Sequence, residues 1–407
     1  MKHIIILGDG MADEACAELN GLTPIESADT PAIDRLAAQG RSGQLATVPE
    51  GFPPGSEIAH LSLLGYSLPD VFEGRGSLEA ASMGIDIDPD EMAMRCNLIC
   101  IAPDNTIKNH SAGHISTEEA AQLIDALNEG LGDGRARFFP GVSYRHLLKI
   151  KDGDKHIHCT PPHDVPGTPA ADVMVKAETP EAQATADYIN SLIIRSREIL
   201  ENHPVNLRRI AEGKDPANSI WPWSAGYKPA MKTMQQLFGI GKGYVISAVD
   251  LIMGIGVYAG LEPIHVEGAT GLYDTNYEGK MQAALNALRG DADFVFLHVE
   301  ASDEAGHEGD AKLKKSTIES LDHRVVAPLI KAIEEEGMDV AVAVLPDHPT
   351  PCRLRTHTSN PVPFLIWYPG IQPDSVMKYS EKEAEKGSYG LMKDDEFIRE
   401  FLLSPKK

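Results

Sequence analysis

The sequence predicts an α/β protein: a parallel or mixed β-sheet sandwiched by helices, with an α+β domain inserted into it. Three observations carry that expectation. Short apolar runs at Ile4–Leu7, Tyr244–Ser247, Phe294–Val299, Val340–Leu345 and Val362–Trp367 read as strands buried on both faces. Helical patterns fall between them at Asn276–Leu288 and Ser316–Glu335, the alternation that builds such a sheet. The middle of the chain differs in kind. GVSYRHLLKIKDGDKHIHCTPPHDVPGTP holds short strand-like pieces, several prolines and a concentration of Arg and His. At 407 residues the chain is too long for one ordinary core. Residues 1–74 and 216–407 are therefore expected to form the core, and 75–215 the inserted domain.

The elements can be justified in order. Ile4–Leu7 runs into GDG, a strand closed by a turn. In DTPAIDRLAAQGRSG, Thr30 is a good N-cap, Pro31 suits the first helical position, Ile33 and Leu36 share a face and Gly40 stops the helix. In PPGSEIAHLSLLGY, Ser56 stands at or near the start of a helix that carries Ile58, Leu61, Leu63 and Leu64. It is either a cap or a nucleophile aided by the helix dipole. Cys96 and Cys100 could share a helical face, though both read more simply as small buried residues. The C-terminal SPKK is expected to fray.

Composition excludes several classes of function. With 37 basic and 60 acidic residues the formal charge is −23. Such a surface repels nucleic acid and anionic membranes, and neither is an expected partner. An anionic substrate then needs a locally cationic pocket or a metal. Mean hydropathy of −0.21 is that of a globular protein. Five scattered cysteines without a CxxC pair argue against a disulfide framework or thiolate cluster and point to a reducing cytoplasm. MKHIIILGDG is too short an apolar run for a signal peptide or membrane span.

Hard and borderline metal ligands recur at predicted strand ends. Asp9 follows the first strand, Asp303 and His307 follow Phe294–Val299, and Asp347 and His348 follow Val340–Leu345, with His357 beyond. Ligands gather beyond the carboxyl ends of strands in open α/β sheets. The four-residue spacing puts Asp303 and His307 on one helical face. Carboxylates with imidazoles and no thiolate suit Mn²⁺, Zn²⁺ or a similar ion such as Co²⁺, and so many ligands suit two ions. Beside them Ser56 would need no histidine-based triad.

GDGMAD, PPGSEIAHLSLLGY, EGRGSLEAASMGI, SDEAGHEGD, LPDHPTP and RTHTSNPVPF, taken in order, resemble the archaeal-type branch of the cofactor-independent phosphoglycerate mutases. That branch belongs to the alkaline phosphatase superfamily, and the resemblance spans essentially the whole chain. It implies an alkaline-phosphatase-like core with the middle segment as a substrate-binding cap. It also implies Asp9, Ser56, Asp347 and His348 around one divalent ion, and Asp303, His307 and His357 around a second. Ser56 becomes the phosphoryl acceptor, 3-phosphoglycerate and 2-phosphoglycerate are interconverted under a closed cap, and 2,3-bisphosphoglycerate is not needed.

His110, Arg145, Arg208 and Lys280 are the candidates for gripping the substrate's phosphate and carboxylate, with Arg75 a weaker one. The chain departs from the family pattern where an Asp-Arg pair and a following Arg are expected: it has Asn109-His110 and His114. Imidazole cannot reproduce a bidentate guanidinium. The alternative reading is another phosphotransferase on the same core, such as a homoserine kinase, or a phosphatase.

Overall fold

The computed structural model describes residues 1–404; the last three residues of SPKK, expected to fray, lie outside them. Among the described residues the strands, in chain order, begin with β1 (Lys2–Gly8), β2 (Arg41–Leu45), β3 (Glu91–Ile101), β4 (Ile107–Asn109) and β5 (Ala136–Phe139). They continue with β6 (Arg145–Lys151), β7 (Ile157–His158), β8 (Lys176–Ala177), β9 (Ser219–Gly226) and β10 (Gly243–Ile246). Last come β11 (Glu262–Ile264), β12 (Phe294–Val299), β13 (Val340–Leu345), β14 (Val362–Trp367) and β15 (Leu391–Met392).

The chain divides into two compact units, Met1–Phe72 with Ala230–Lys407, and Glu73–Pro229. The expected boundary at 215 falls inside the second unit, because β9 pairs antiparallel with β3 from Ala93 to Ile99. Pro222 makes Ser219–Gly226 a poor strand by pattern despite its two tryptophans, and tertiary pairing overrides it.

The first unit holds one mixed sheet ordered β11-β10-β12-β1-β13-β14-β2-β15. β1 lies between β12 and β13 and runs parallel to both, with Gly8 opposite Val299 and Leu7 opposite Leu345. The three strands therefore end at one edge. Every residue of β12 and β13 is buried, so both sheet faces are covered.

The helix Pro31–Gln39 ends at Gly40 as expected, but the Thr30 side chain does not cap it. The cap comes instead from the Asp322 carboxylate, which accepts from the amides of Ala32 and Ile33. Asp322 opens a π-helical segment, Asp322–Val326, inside the predicted helix Ser316–Glu335, which otherwise runs through without a break and begins earlier, at Ala311.

The second unit is built on an antiparallel sheet, β4-β3-β6-β5, with β9 on β3. Its helices Thr117–Leu131 and Gln183–Leu200 pack on a core that includes Phe138, Leu148, Ile189 and Trp221. Cys96 and Cys100 are buried, on β3 rather than on a helix.

Candidate metal centre

Asp9 follows β1, the helix Ala301–Glu308 follows β12, and Asp347-His348 follow β13. This shared edge assembles two groups of ligand atoms, Asp9–Asp347–His348 and Asp303–His307–His357, each with its atoms within 4.8 Å of one another. In the second group His307 Nε2 is 3.2 Å from Asp303 Oδ2, and His357 Nε2 is 3.4 Å from Asp303 Oδ1. The two Nε2 atoms face each other at 3.0 Å. In the first group His348 Nε2 lies 3.2 Å from Asp347 Oδ2 and 3.7 Å from Asp9 Oδ1. Four-coordinate ions with bonds of about 2.0–2.2 Å separate neighbouring ligand atoms by roughly 3.3 Å, so the spacings suit divalent ions.

The electrostatics demand cations. Asp9 and Asp347 are almost wholly buried, and Asp9 Oδ1 and Asp347 Oδ2 have no hydrogen-bond partner. Burial, with the charges of Asp347 and Asp303, pushes the Asp9 carboxyl well above the ordinary range. Burial also works to raise Asp303 and Asp347, but facing imidazoles hold both below it. Orphaned carboxylate oxygens inside a protein are costly without a counter-charge. The donor set of carboxylates and imidazoles fits divalent ions.

Local backbone makes the crowding possible. Gly10 adopts a positive φ of 58° and its amide donates to Asp347 Oδ1 at 3.0 Å. A Cβ there would fall against the Asp303 carboxylate and 2.5 Å from the Thr350 hydroxyl.

Ser56 is the first residue of the helix Ser56–Leu63, and Gly55 occupies the N-cap position. The Ser56 hydroxyl is 3.3 Å from His348 Nε2. The first amides of a helix have no intrahelical acceptor and face any anion at Ser56.

Several residues at this edge escaped the sequence reading. His60 Nδ1 is 2.8 Å from the Ser56 carbonyl oxygen and 3.4 Å from Asp347 Oδ2; burial lowers its pKa to about 4. His298 Nε2 lies 2.9 Å from Asp9 Oδ2, and its Nδ1 3.1 Å from Glu300. Burial opposes its charge, yet Glu300 and Asp9 raise it to about 10. The available signal was polarity out of place: an imidazole inside the apolar FVFLHV and another in the helix EIAHLSLL.

Lys280 requires a correction. It lies in the core unit, fully buried, donating to Glu300 and to the His298 carbonyl oxygen, so it is not a free cation for substrate. Glu300 holds it because a buried charge must be paired.

The second unit brings others together. Arg95 ion-pairs with Glu79 at 3.0 Å and lies over the Trp223 ring. Burial, then the charges of Arg75 and Arg145, lowers its pKa. His163 packs edge-on against Trp223 and His110, and His110 against Tyr144. Arg208 is exposed on the helix Pro204–Ala211, its charge felt at His203 and Glu212. Its neighbour Arg209 is buried and structural, donating to Glu119, Ala112 and Asp215. Among the described residues no helix is long and apolar enough to cross a membrane.

A phosphoryl-transfer α/β core with two ligand groups, one of them buried, and a serine at a helix start is the class these features define. Residues 37–206 match a family model described as 2,3-bisphosphoglycerate-independent phosphoglycerate mutase. A protein of that name from Methanosarcina acetivorans is 48% identical over 98% of both chains. One from Geobacter sulfurreducens, named as a probable member, is 46% identical over 99% of this chain and 100% of its own. The fold is similar to a solved Pyrococcus horikoshii protein, with a TM-score of 0.82 and 30% identity over 100% and 98% of the two chains. It is also similar to the cofactor-independent phosphoglycerate mutase of Thermoplasma acidophilum, with a TM-score of 0.68 and 26% identity over 98% of both chains. The chain belongs to the 2,3-bisphosphoglycerate-independent phosphoglycerate mutase family.

Proposed function

We propose that the protein interconverts 3-phosphoglycerate and 2-phosphoglycerate through a phosphoserine at Ser56, without 2,3-bisphosphoglycerate. The observation that carries this reading is the Ser56 hydroxyl, at a helix start and 3.3 Å from His348 of a buried ligand group. Asp9, Ser56, Asp347 and His348 would hold one divalent ion, and Asp303, His307 and His357 the other. Mn²⁺ is the proposed metal, and Zn²⁺ and Co²⁺ accept the same donors. When bound, the ions supply positive charge to the serine oxygen and to the phosphate oxygens.

The chain's own groups then do the rest. Ser56 Oγ attacks phosphorus in line; the Oγ–P bond forms as the bond to the 3-oxygen of glycerate breaks. The amides at the helix start face the phosphoryl oxygens. Glycerate turns and its 2-oxygen takes the phosphoryl group back, so the serine proton given up in the first step is recovered in the second. His60 and His298 orient Asp347 and Asp9. In the second unit Arg145, with Arg75, Arg95, His110 and His163, forms a cationic group suited to the substrate's carboxylate, and we assign it that role. His110 and His114, standing where the family pattern has guanidinium groups, make this recognition less bidentate.

The test is an enolase-coupled assay of purified protein with Mn²⁺ and no 2,3-bisphosphoglycerate. Turnover by wild type that falls by roughly 10⁴-fold or more in Ser56→Ala is expected for loss of a nucleophile. An inactive wild type, or a fully active variant, would discard the mutase reading. Homoserine with a phosphoryl donor, run in parallel, tests the kinase alternative.

A further inference from the structure

The segment after β1 and the segment after β13 lie side by side. Met11 and Ala12 bridge to Pro349, and the Thr350 amide donates to the Ala12 carbonyl at 3.2 Å. Into this seam reaches Lys314, from the helix Ala311–Leu321, with no exposed surface. Its ammonium donates to the Ala12 carbonyl at 3.1 Å, to Asp13 Oδ2 at 2.8 Å and to the Thr350 carbonyl at 2.8 Å. An ammonium has three donors, and all three are used. Asp13 in turn accepts from the Cys352 amide. One buried cation thus ties the chain just past Asp9 to the chain just past His348.

Thr350 completes the connection. Its hydroxyl donates to Asp303 Oδ1 at 2.5 Å and lies 3.2 Å from His348 Nδ1. It therefore touches one residue from each ligand group and is wholly buried. A partner on Nδ1 fixes which way the His348 ring presents Nε2.

We propose that Lys314 and Thr350 are positioning residues of the metal centre. Lys314 holds the Asp9 and His348 segments in register, and the Thr350 hydroxyl couples the first ligand group to the second. A buried Lys–Asp pair serving only the fold would need neither the two main-chain carbonyls flanking the site nor a hydroxyl between ligands. The proposal rests on the metal reading given above and concerns metal affinity, so it can be read without turnover.

Metal-free protein is titrated with Mn²⁺, free ion is followed by electron paramagnetic resonance, and melting temperature is measured alongside. Thr350→Val, nearly isosteric, is expected to weaken Mn²⁺ binding about 10–100-fold, as for other partners of metal ligands, and Thr350→Ser to recover most of it. Lys314→Met should weaken binding at both groups together. Leu329→Ala, a buried core change on the helix Ala327–Glu335, serves as the control for general destabilisation and should bind Mn²⁺ as wild type does. Wild-type affinity in Thr350→Val, or an equal loss in Leu329→Ala, overturns the proposal. Should Lys314→Met fail to fold, the Val and Ser variants at Thr350 still decide it. Wild-type protein that takes up no Mn²⁺, Zn²⁺ or Co²⁺ would instead overturn the metal reading itself.

Discussion

In the core unit the reactive side chains are carboxylates and imidazoles just past the ends of three neighbouring parallel strands. In the second unit they are guanidinium groups and imidazoles from scattered elements: Arg75 opens a helix, Arg95 lies within β3, Arg145 starts β6, and His110 and His163 lie on loops. The core collects negative charge in the interior, where only cations can neutralise it. The second unit collects positive charge around Trp223 and Tyr144 in a chain whose net charge is −23. Under the proposed function the core would take up ions and the second unit an anion, a division that would let an acidic protein handle a phosphorylated acid.

Ligand substitution should break that contrast hardest. Asp303→Asn leaves two imidazoles without their shared carboxylate, and kcat/KM should fall about 10³-fold, more than the 10–100-fold typical of partners of metal ligands. Dialysis against a chelator should abolish wild-type activity, and added Mn²⁺ should restore it.

Lys280→Met sharpens the comparison from the other side. It strands Glu300 and disturbs His298, so denaturant unfolding should show a loss of about 3–5 kcal/mol. A lysine gripping substrate would instead raise KM with little change in stability.

The second unit carries a pH signature of its own. Burial holds His146 near a pKa of about 4, while its Nδ1 accepts from the Gly141 amide at 3.0 Å. The unfolded chain takes up the proton first as pH falls below about 6.5, so stability drains away between there and pH 4. The full effect is about 3 kcal/mol at 1.36 kcal/mol per pH unit. Comparing wild type with His146→Gln across that window isolates it, since the variant should show a shallower decline.

The smallest effect separates two arginines. Arg145→Ala should raise KM for 3-phosphoglycerate about 10-fold with kcat nearly kept, the loss of one charge-assisted contact. Arg208→Ala should stay within about twofold. Equal effects would remove the case for a cationic group around Arg95.

What could be read in advance follows the same divide. β12, β13 and β14 are legible to the residue because strands buried on both faces are near-continuously apolar. The strand ends then place Asp9, Asp303 and Asp347 by topology alone. Burial of a charge leaves no such trace: Lys280 in DTNYEGK looks like any surface lysine until Glu300 meets it across the fold. The extent of the second unit was hidden by Pro222 in β9, and the true cap of Pro31–Gln39 by a sequence distance of 289 residues to Asp322. Arg95 and His163 were missed because a strand arginine and a loop histidine have no spacing that announces them.

The position of β1 between β12 and β13 also governs assembly. β1 must wait for β12 and β13, which are made much later, with Asp9 and His298 separated by 289 residues. The second unit, its segment continuous in the chain, can be complete by then. The ligand groups close only once His357 has emerged, so a nascent chain offers metal no finished site, and a truncation before β13 should leave the N-terminal strand without one of its partners.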